Sequence, residues 1–226
     1  VRATNCLISS SIFFSSIFYT TKDCFRVDSY TKSLYNRIMF TPIFTDGVWN
    51  TSFKTDLKEY CDFVKNNDTG RALSNKGGYQ SNDCNLSDPI LSPLISHIQK
   101  ETLNFSRLFN MTYDSFKVDN MWININGYKD YNNNHHHPGC LFSGVYYIST
   151  PLDCGNIEFI RSTERVMVYD WEVPITDFNS YNCFNWYLPA EQHRCYIFPS
   201  FYEHRVLPNR NKEERYSISF NLSSNS

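Results

Sequence analysis

The sequence carries no dominant charge. Lysine plus arginine number 21 and aspartate plus glutamate 23, a formal net charge of −2 at pH 7. No bulk positive field therefore marks a nucleic-acid or membrane binder. Charged residues are sparse at 19%, below the ~25% usual in soluble domains. Eight glycines and nine prolines are too few for a collagen-like or low-complexity chain. The apolar stretch Leu7 to Tyr19 is only 13 residues long and broken by serines, short of the ~20 residues that span a bilayer. With Arg2 ahead of it, the stretch has the outline of a signal peptide, but no small-x-small cleavage pattern follows. It is expected to form an extra strand or an N-terminal extension over residues 1–38.

Cysteine is present but scattered. Cys6, Cys24, Cys61, Cys84, Cys140, Cys154, Cys183 and Cys195 form no CxxC pair and no dense cluster. That excludes a small disulfide scaffold and a closely paired structural zinc site. Reduced, mostly buried thiols in a cytoplasmic protein are the expectation. Sequons such as Asn104-Phe105-Ser106 carry little weight in a chain this rich in Asn and Ser.

Aromatic residues, in contrast, are abundant at 17% and favour strands. The 41% apolar content supports a sizeable core, and 226 residues fit one large domain or two small ones. Leu57, Tyr60, Cys61 and Val64 recur at helical spacing and predict an amphipathic helix from Asp56 to Asn67, capped by Asp56 or Thr55. Ser74 to Gly78 reads as a loop. A second helix is expected from Pro89 to Phe109, with Leu94, Ile95 and Ile98 on one face and Pro89 near its start. After Tyr113 the period changes. Strands are predicted at Met121–Asn126, Phe142–Ser149, Asn156–Ile160, Arg165–Tyr169, Cys195–Pro199 and Tyr216–Leu222. The fold class is mainly β with N-terminal helices, an antiparallel sandwich or barrel. One domain is expected over 39–226, with helices over about 54–112 and the β core over about 117–222.

The strands have an unusual polarity. Tyr216, Ile218, Phe220 and Leu222 alternate with Ser217, Ser219 and Asn221, and Arg215 shares the polar face. Asn124 and Asn126 likewise share one face, opposite Ile123 and Ile125. Such faces either meet solvent or line a wet cavity inside a barrel. The histidines favour the cavity. His135, His136 and His137 are consecutive, and on an extended segment His135 and His137 point the same way while His136 points away. His204 offers a third imidazole. Imidazole suits iron, zinc, copper or nickel, so the donors alone do not name the metal. Beyond His204, Arg215 and Ser217 form a guanidinium and hydroxyl pair suited to a carboxylate, which the arginine can grip with a bidentate fork.

Two metal-ligand candidates two residues apart, a distant His and then Arg-x-Ser resemble the HxD…H…RxS signature of 2-oxoglutarate/iron(II) dioxygenases, built on a double-stranded β-helix. Trp122-x-Asn124-x-Asn126, His135-x-His137-Pro138, Phe142 to Tyr147, Phe198-Pro199-Ser200 and Arg215 to Asn221 are similar to an uncharacterised oxygenase branch of bacteria and their phages. Ser74 to Ser81 resembles that branch's N-terminal part, and the resemblance runs from about Met39 to Asn221. It implies that His135, His137 and His204 bind Fe(II) and are the catalytic centre. Arg215 and Ser217 would hold the distal carboxylate of 2-oxoglutarate. Tyr147 would assist them, as the second Tyr of a similar run does in prolyl hydroxylases, and Asn124 and Asn126 would contact the cosubstrate. Phe142, Gly144, Phe198 and Phe220 would serve the barrel core.

One position departs from the superfamily pattern. His137 stands where an Asp or Glu is usual, and the downstream carboxylates Asp153 and Glu158 do not fit the spacing. The implied activity is hydroxylation of an unidentified small-molecule or peptide substrate, with release of succinate and CO2. No nucleic-acid or membrane partner is expected, and a homodimer is left open. Two other readings stand beside it. One is a three-His, cupin-type dioxygenase that does not use 2-oxoglutarate. The other is a non-catalytic barrel that binds a small carboxylate. Arg215 separates them, because only the first reading needs a buried cation for a dicarboxylate.

Overall fold

The structure, a computed structural model, describes residues 46–161 and 176–225. Its first element is a short strand, β1 (Trp49–Ser52), followed by helix α1 (Lys58–Asn67). Helix α1 starts later than expected, with Leu57 rather than Asp56 or Thr55 at its N-cap and no side-chain cap, although the Asp56 carboxylate accepts the Lys58 N–H at 3.1 Å. Cys61 faces the core from α1, and Phe63 faces solvent. The segment Ser74 to Gly78, expected to be a loop, instead holds a two-residue strand, β2 (Asn75–Lys76), and a second, β3 (Tyr79–Gln80), follows directly after it. They flank Gly77 and Gly78, both at positive φ. Helix α2 (Ser92–Ser106) begins later than expected, with Pro93 rather than Pro89 in its first turn, and a 3-10 turn follows over Arg107–Phe109.

The rest is β structure: β4 (Phe116–Asn126), β5 (Tyr131–His135), β6 (Phe142–Ser149), β7 (Ile157–Ile160), β8 (Asn185–Leu188), β9 (Arg194–Pro199), β10 (His204–Val206) and β11 (Arg215–Ser224). The expected strand Arg165–Tyr169 and the segment 1–38 lie outside the described residues. Gly47–Ser226 forms one compact unit. No described helix is long and apolar enough to cross a membrane.

Among the described residues the strands form two antiparallel sheets, ordered β1-β9-β6-β11-β4-β3 and β2-β5-β10-β7-β8. This is the mainly β double-stranded β-helix architecture expected from the sequence. Alternation decides what each face of the larger sheet does. Ile123, Ile125, Ile218, Phe220 and Tyr146 point outward and are buried under Leu57, Leu94 and Ile98 of the helical segment. A sheet face that antiparallel folds often leave wet is here covered by helices, so the polar face has to be the inner one. The inward side chains Val145, Tyr147, Tyr196 and Phe198 make a second, smaller cluster with Ile157. Phe142 and Phe220 thus serve the outer core as expected, whereas Phe198 belongs to the inner cluster.

Gly144 faces the outer core between these layers, and a Cβ there would collide with the Phe220 ring and the Tyr196 carbonyl oxygen. Because one obstacle is backbone, the strands themselves would have to part. Gly144→Ala is expected to cost about 1–3 kcal/mol, the usual range for overpacking, and a urea denaturation series would show it as a lower midpoint.

Candidate metal centre and carboxylate pocket

The histidines are brought together by strand pairing. His135 closes β5 and His204 opens β10, directly opposite each other in the antiparallel register. His137 follows β5, and its N–H is held by the Ser200 carbonyl at 2.9 Å. Ligand-capable nitrogens of His135, His137 and His204 all lie within 4.8 Å of one another. His136, between the first two, is exposed.

Hydrogen bonding sets which ring nitrogen faces inward. His135 Nδ1 lies 2.7 Å from the Asn133 carbonyl oxygen, and His204 Nδ1 lies 2.9 Å from that of Tyr202. A carbonyl only accepts, so each Nδ1 donates and each Nε2 keeps its lone pair free. His137 Nε2 and His204 Nε2 stand 3.4 Å apart. Two nitrogens each about 2.1 Å from one ion, at a near-tetrahedral angle, have about this spacing. Burial, followed by the neighbouring rings, lowers the His137 pKa to about 4 and that of His204 to about 3, and lowers that of His135. All three imidazoles are therefore neutral at pH 7, the state a metal needs.

These depressed values make the metal-free protein acid-sensitive. Below pH 6.5 the unfolded chain binds protons that the folded site refuses, so stability present above that value is lost as pH falls toward the folded pKa values. For His204, only 4% exposed, the slope is about 1.4 kcal/mol per pH unit. Denaturation midpoints of the metal-free protein are expected to fall between pH 7 and pH 4.5, and less steeply in His204→Gln.

Among the described residues no carboxylate joins this cluster. The buried Glu158 is occupied by Arg205 and Asn185. Asp153 adopts positive φ and is exposed.

Behind the histidines lies a small cavity, partly open to solvent. Asn124, Asn126, Tyr147, Arg215 and Ser217 all line it, together with the three histidines. The structure therefore gathers every site residue singled out in the sequence around one space. Ser74 and Asn132 line it too and were missed. Ser74 lay in the presumed loop, and Asn132 lay in an Asn run without alternation. Asn132 Nδ2 donates to Ser74 Oγ at 3.1 Å.

Arg215 is the unusual group. It is 1% exposed and, among the described residues, no carboxylate is paired with it. Its Nη1 donates to the carbonyls of Cys154 at 2.5 Å and Gly155 at 2.9 Å, while its Nε is buried without a partner. Burial lowers the Arg215 pKa, yet the group stays cationic. Tyr147 Oη and Asn126 Oδ1 are also buried without partners. The Tyr147 hydroxyl and the Arg215 Nε–H are orphan donors, whereas Asn126 Oδ1 is an orphan acceptor, and buried groups of either kind cost free energy unless something fills them. A carboxylate fits, since it would accept from both Arg215 and Tyr147.

Residues 120–221 match the family model described as "Putative 2OG-Fe(II) oxygenase". The β core is thus similar to the 2OG-Fe(II) oxygenase family over the residues that carry the clustered histidines and Arg215. No curated protein matches the chain. Solved structures share the oxygenase fold at low identity. A prolyl-4-hydroxylase from Pseudomonas putida is similar at 12% identity with a TM-score of 0.56, over 80% of this chain and 95% of that one. A 2OG-Fe(II) oxygenase-family oxidoreductase from Burkholderia pseudomallei is similar at 11% identity with a TM-score of 0.51, over 88% and 93%. The α-ketoglutarate-dependent epimerase SnoN of nogalamycin biosynthesis is similar at 14% identity with a TM-score of 0.53, over 85% and 81%. Members of one fold thus include a hydroxylase and an epimerase, so the fold alone does not select the reaction.

Proposed function

We propose that the protein is a 2-oxoglutarate- and Fe(II)-dependent dioxygenase that hydroxylates a small-molecule or peptide substrate. The observation that carries this reading is the buried, acid-free Arg215 with an unpartnered Nε, in the same cavity as three convergent neutral imidazoles. Iron and 2-oxoglutarate, when bound, supply O2 activation coupled to oxidative decarboxylation, which releases succinate and CO2.

His135, His137 and His204 would hold the metal, the first and last through Nε2 atoms left free by Nδ1 bonds to backbone carbonyls, leaving the remaining positions to the ligands. Arg215 and Ser217 would grip the distal carboxylate, the guanidinium with its fork and the serine with its hydroxyl. Tyr147 Oη, otherwise orphaned, would donate to the same group. Asn124, which lines the cavity, is held by Ser219, its Nδ2 donating to Oγ at 3.0 Å. Asn126 would add a contact to the cosubstrate. Val145, Ile157 and Phe198 on the lining keep bulk water away and strengthen these electrostatic contacts.

The test is anaerobic titration with Fe(II) and 2-oxoglutarate, followed by a substrate screen for succinate release. Uptake of one metal and one dicarboxylate per chain is expected. Metal uptake without dicarboxylate binding would favour the three-His dioxygenase that does not use 2-oxoglutarate.

A further inference from the structure

The cavity has a charge imbalance that the proposed cofactors do not cancel. Among the described residues, Arg215 is the only formally charged one on its lining, and no Asp or Glu is among the described lining side chains. Asp130, whose carboxylate accepts the Gly127 N–H at 2.8 Å, acts on Arg215 from a distance, without pairing with it. Glu158 is neutralised by Arg205. None of the influences on His135, His137 or His204 comes from an acid.

On the reading above, a divalent ion brings two positive charges, Arg215 one, and 2-oxoglutarate two negative charges. One positive charge is left over. A carboxylate at position 137 would have cancelled it; the imidazole of His137 does not. In a buried site an uncompensated charge is costly, and a mobile counter-charge is drawn in.

We propose that His137 sets the specificity of this site for an anion, so that the metal end of the cavity takes one monovalent anion beside the dicarboxylate, the negative group of a carboxylate-bearing substrate. This rests on the dioxygenase reading and extends it to the substrate's charge. The rim supplies suitable company. Asn132 and Ser74 offer polar groups there, and the Trp122 ring stands 5.7 Å from that of His137. The Arg71 guanidinium lies 5.8 Å over the Trp122 ring and keeps a buried, unpartnered Nε while Asp83 takes its Nη2 at 2.7 Å. Arg71 is thus part of an ion pair with Asp83 and leaves the charge tally of the cavity unchanged.

The experiment uses the full chain loaded anaerobically with Co(II) in place of Fe(II) and saturated with 2-oxoglutarate. Metal and dicarboxylate content are measured first. If either is not taken up, the dioxygenase reading fails at that point and the anion proposal with it. Acetate and its neutral isostere acetamide are then titrated at constant ionic strength while the Co(II) absorption is followed, with 2-oxoglutarate still bound. Acetate is expected to saturate at one per metal and to bind at least about tenfold more tightly than acetamide, as one unit charge a few ångströms away requires. Equal affinities, or no saturable response to acetate, overturn the proposal. In His137→Asp the preference should shrink toward parity with 2-oxoglutarate binding kept, and an unchanged preference there also overturns it. Should that variant take up no metal, the wild-type comparison decides alone. A chloride arm separates the sources: acetate stronger than chloride supports a carboxylate-bearing substrate, whereas chloride matching acetate overturns that assignment in favour of a free inorganic anion.

Discussion

Arg215→Ala is expected to weaken 2-oxoglutarate binding by a factor between roughly 30 and several thousand. That range corresponds to the 2–5 kcal/mol or more lost when one partner of a buried, hydrogen-bonded charge pair is removed. The effect is large because Arg215 is 1% exposed, so water cannot replace the guanidinium at the carboxylate. Arg215→Lys should recover only part of the affinity, since an ammonium cannot form two parallel bonds in one plane. Metal content should be unchanged in both variants, because Arg215 is not among the clustered imidazoles. Anaerobic calorimetry with 2-oxoglutarate on the metal-loaded protein measures the affinities. Binding as tight as wild type in Arg215→Ala would remove the main support for the dioxygenase reading.

The second large effect is expected at the histidines, where neighbours in sequence should behave oppositely. His135→Ala and His204→Ala remove nitrogens whose lone pairs are aimed inward by bonds to the Asn133 and Tyr202 carbonyls. Each should lower metal affinity by more than about 100-fold, beyond the 10- to 100-fold cost of losing an outer-shell partner. His136→Ala should leave metal content nearly intact, because that side chain is exposed. Metal-to-protein ratios after dialysis against a weak chelator distinguish the three variants, and equal loss in His135→Ala and His136→Ala would mean that the register is wrong.

Much of this site was legible because strands have a period of two. The alternation of Arg215, Ser217 and Ser219 with Tyr216, Ile218 and Phe220 marked two faces, and the structure buries both. The same period separated His136 from its neighbours. Helix α1 was legible from the spacing of Leu57, Cys61 and Val64. The strands that went unseen are those whose pairing, not composition, makes them strands. β1 and β8 are only four residues long, and β2 and β3 only two; their hydrogen bonds come from partners remote in sequence. β5 was hidden for another reason. Its Tyr-Asn-Asn-Asn-His run has no apolar face, because its inward residue Asn132 meets the polar cavity and its other asparagines meet solvent. A wet interior removes the contrast that hydrophobic patterning depends on.

The three carbonyls held by Arg215 Nη1 belong to Cys154, Gly155 and Leu207, on the turn before β7 and the loop after β10. The guanidinium offered to the ligand therefore also ties together two separate connections at one end of the barrel. Redesign of the cavity for a different cosubstrate has little latitude at this position. Changing the residue to alter recognition also unfastens the loops that frame the pocket. Ser217 and Asn124 carry no such second duty toward the loops, and they are the natural places to begin retuning what the pocket accepts.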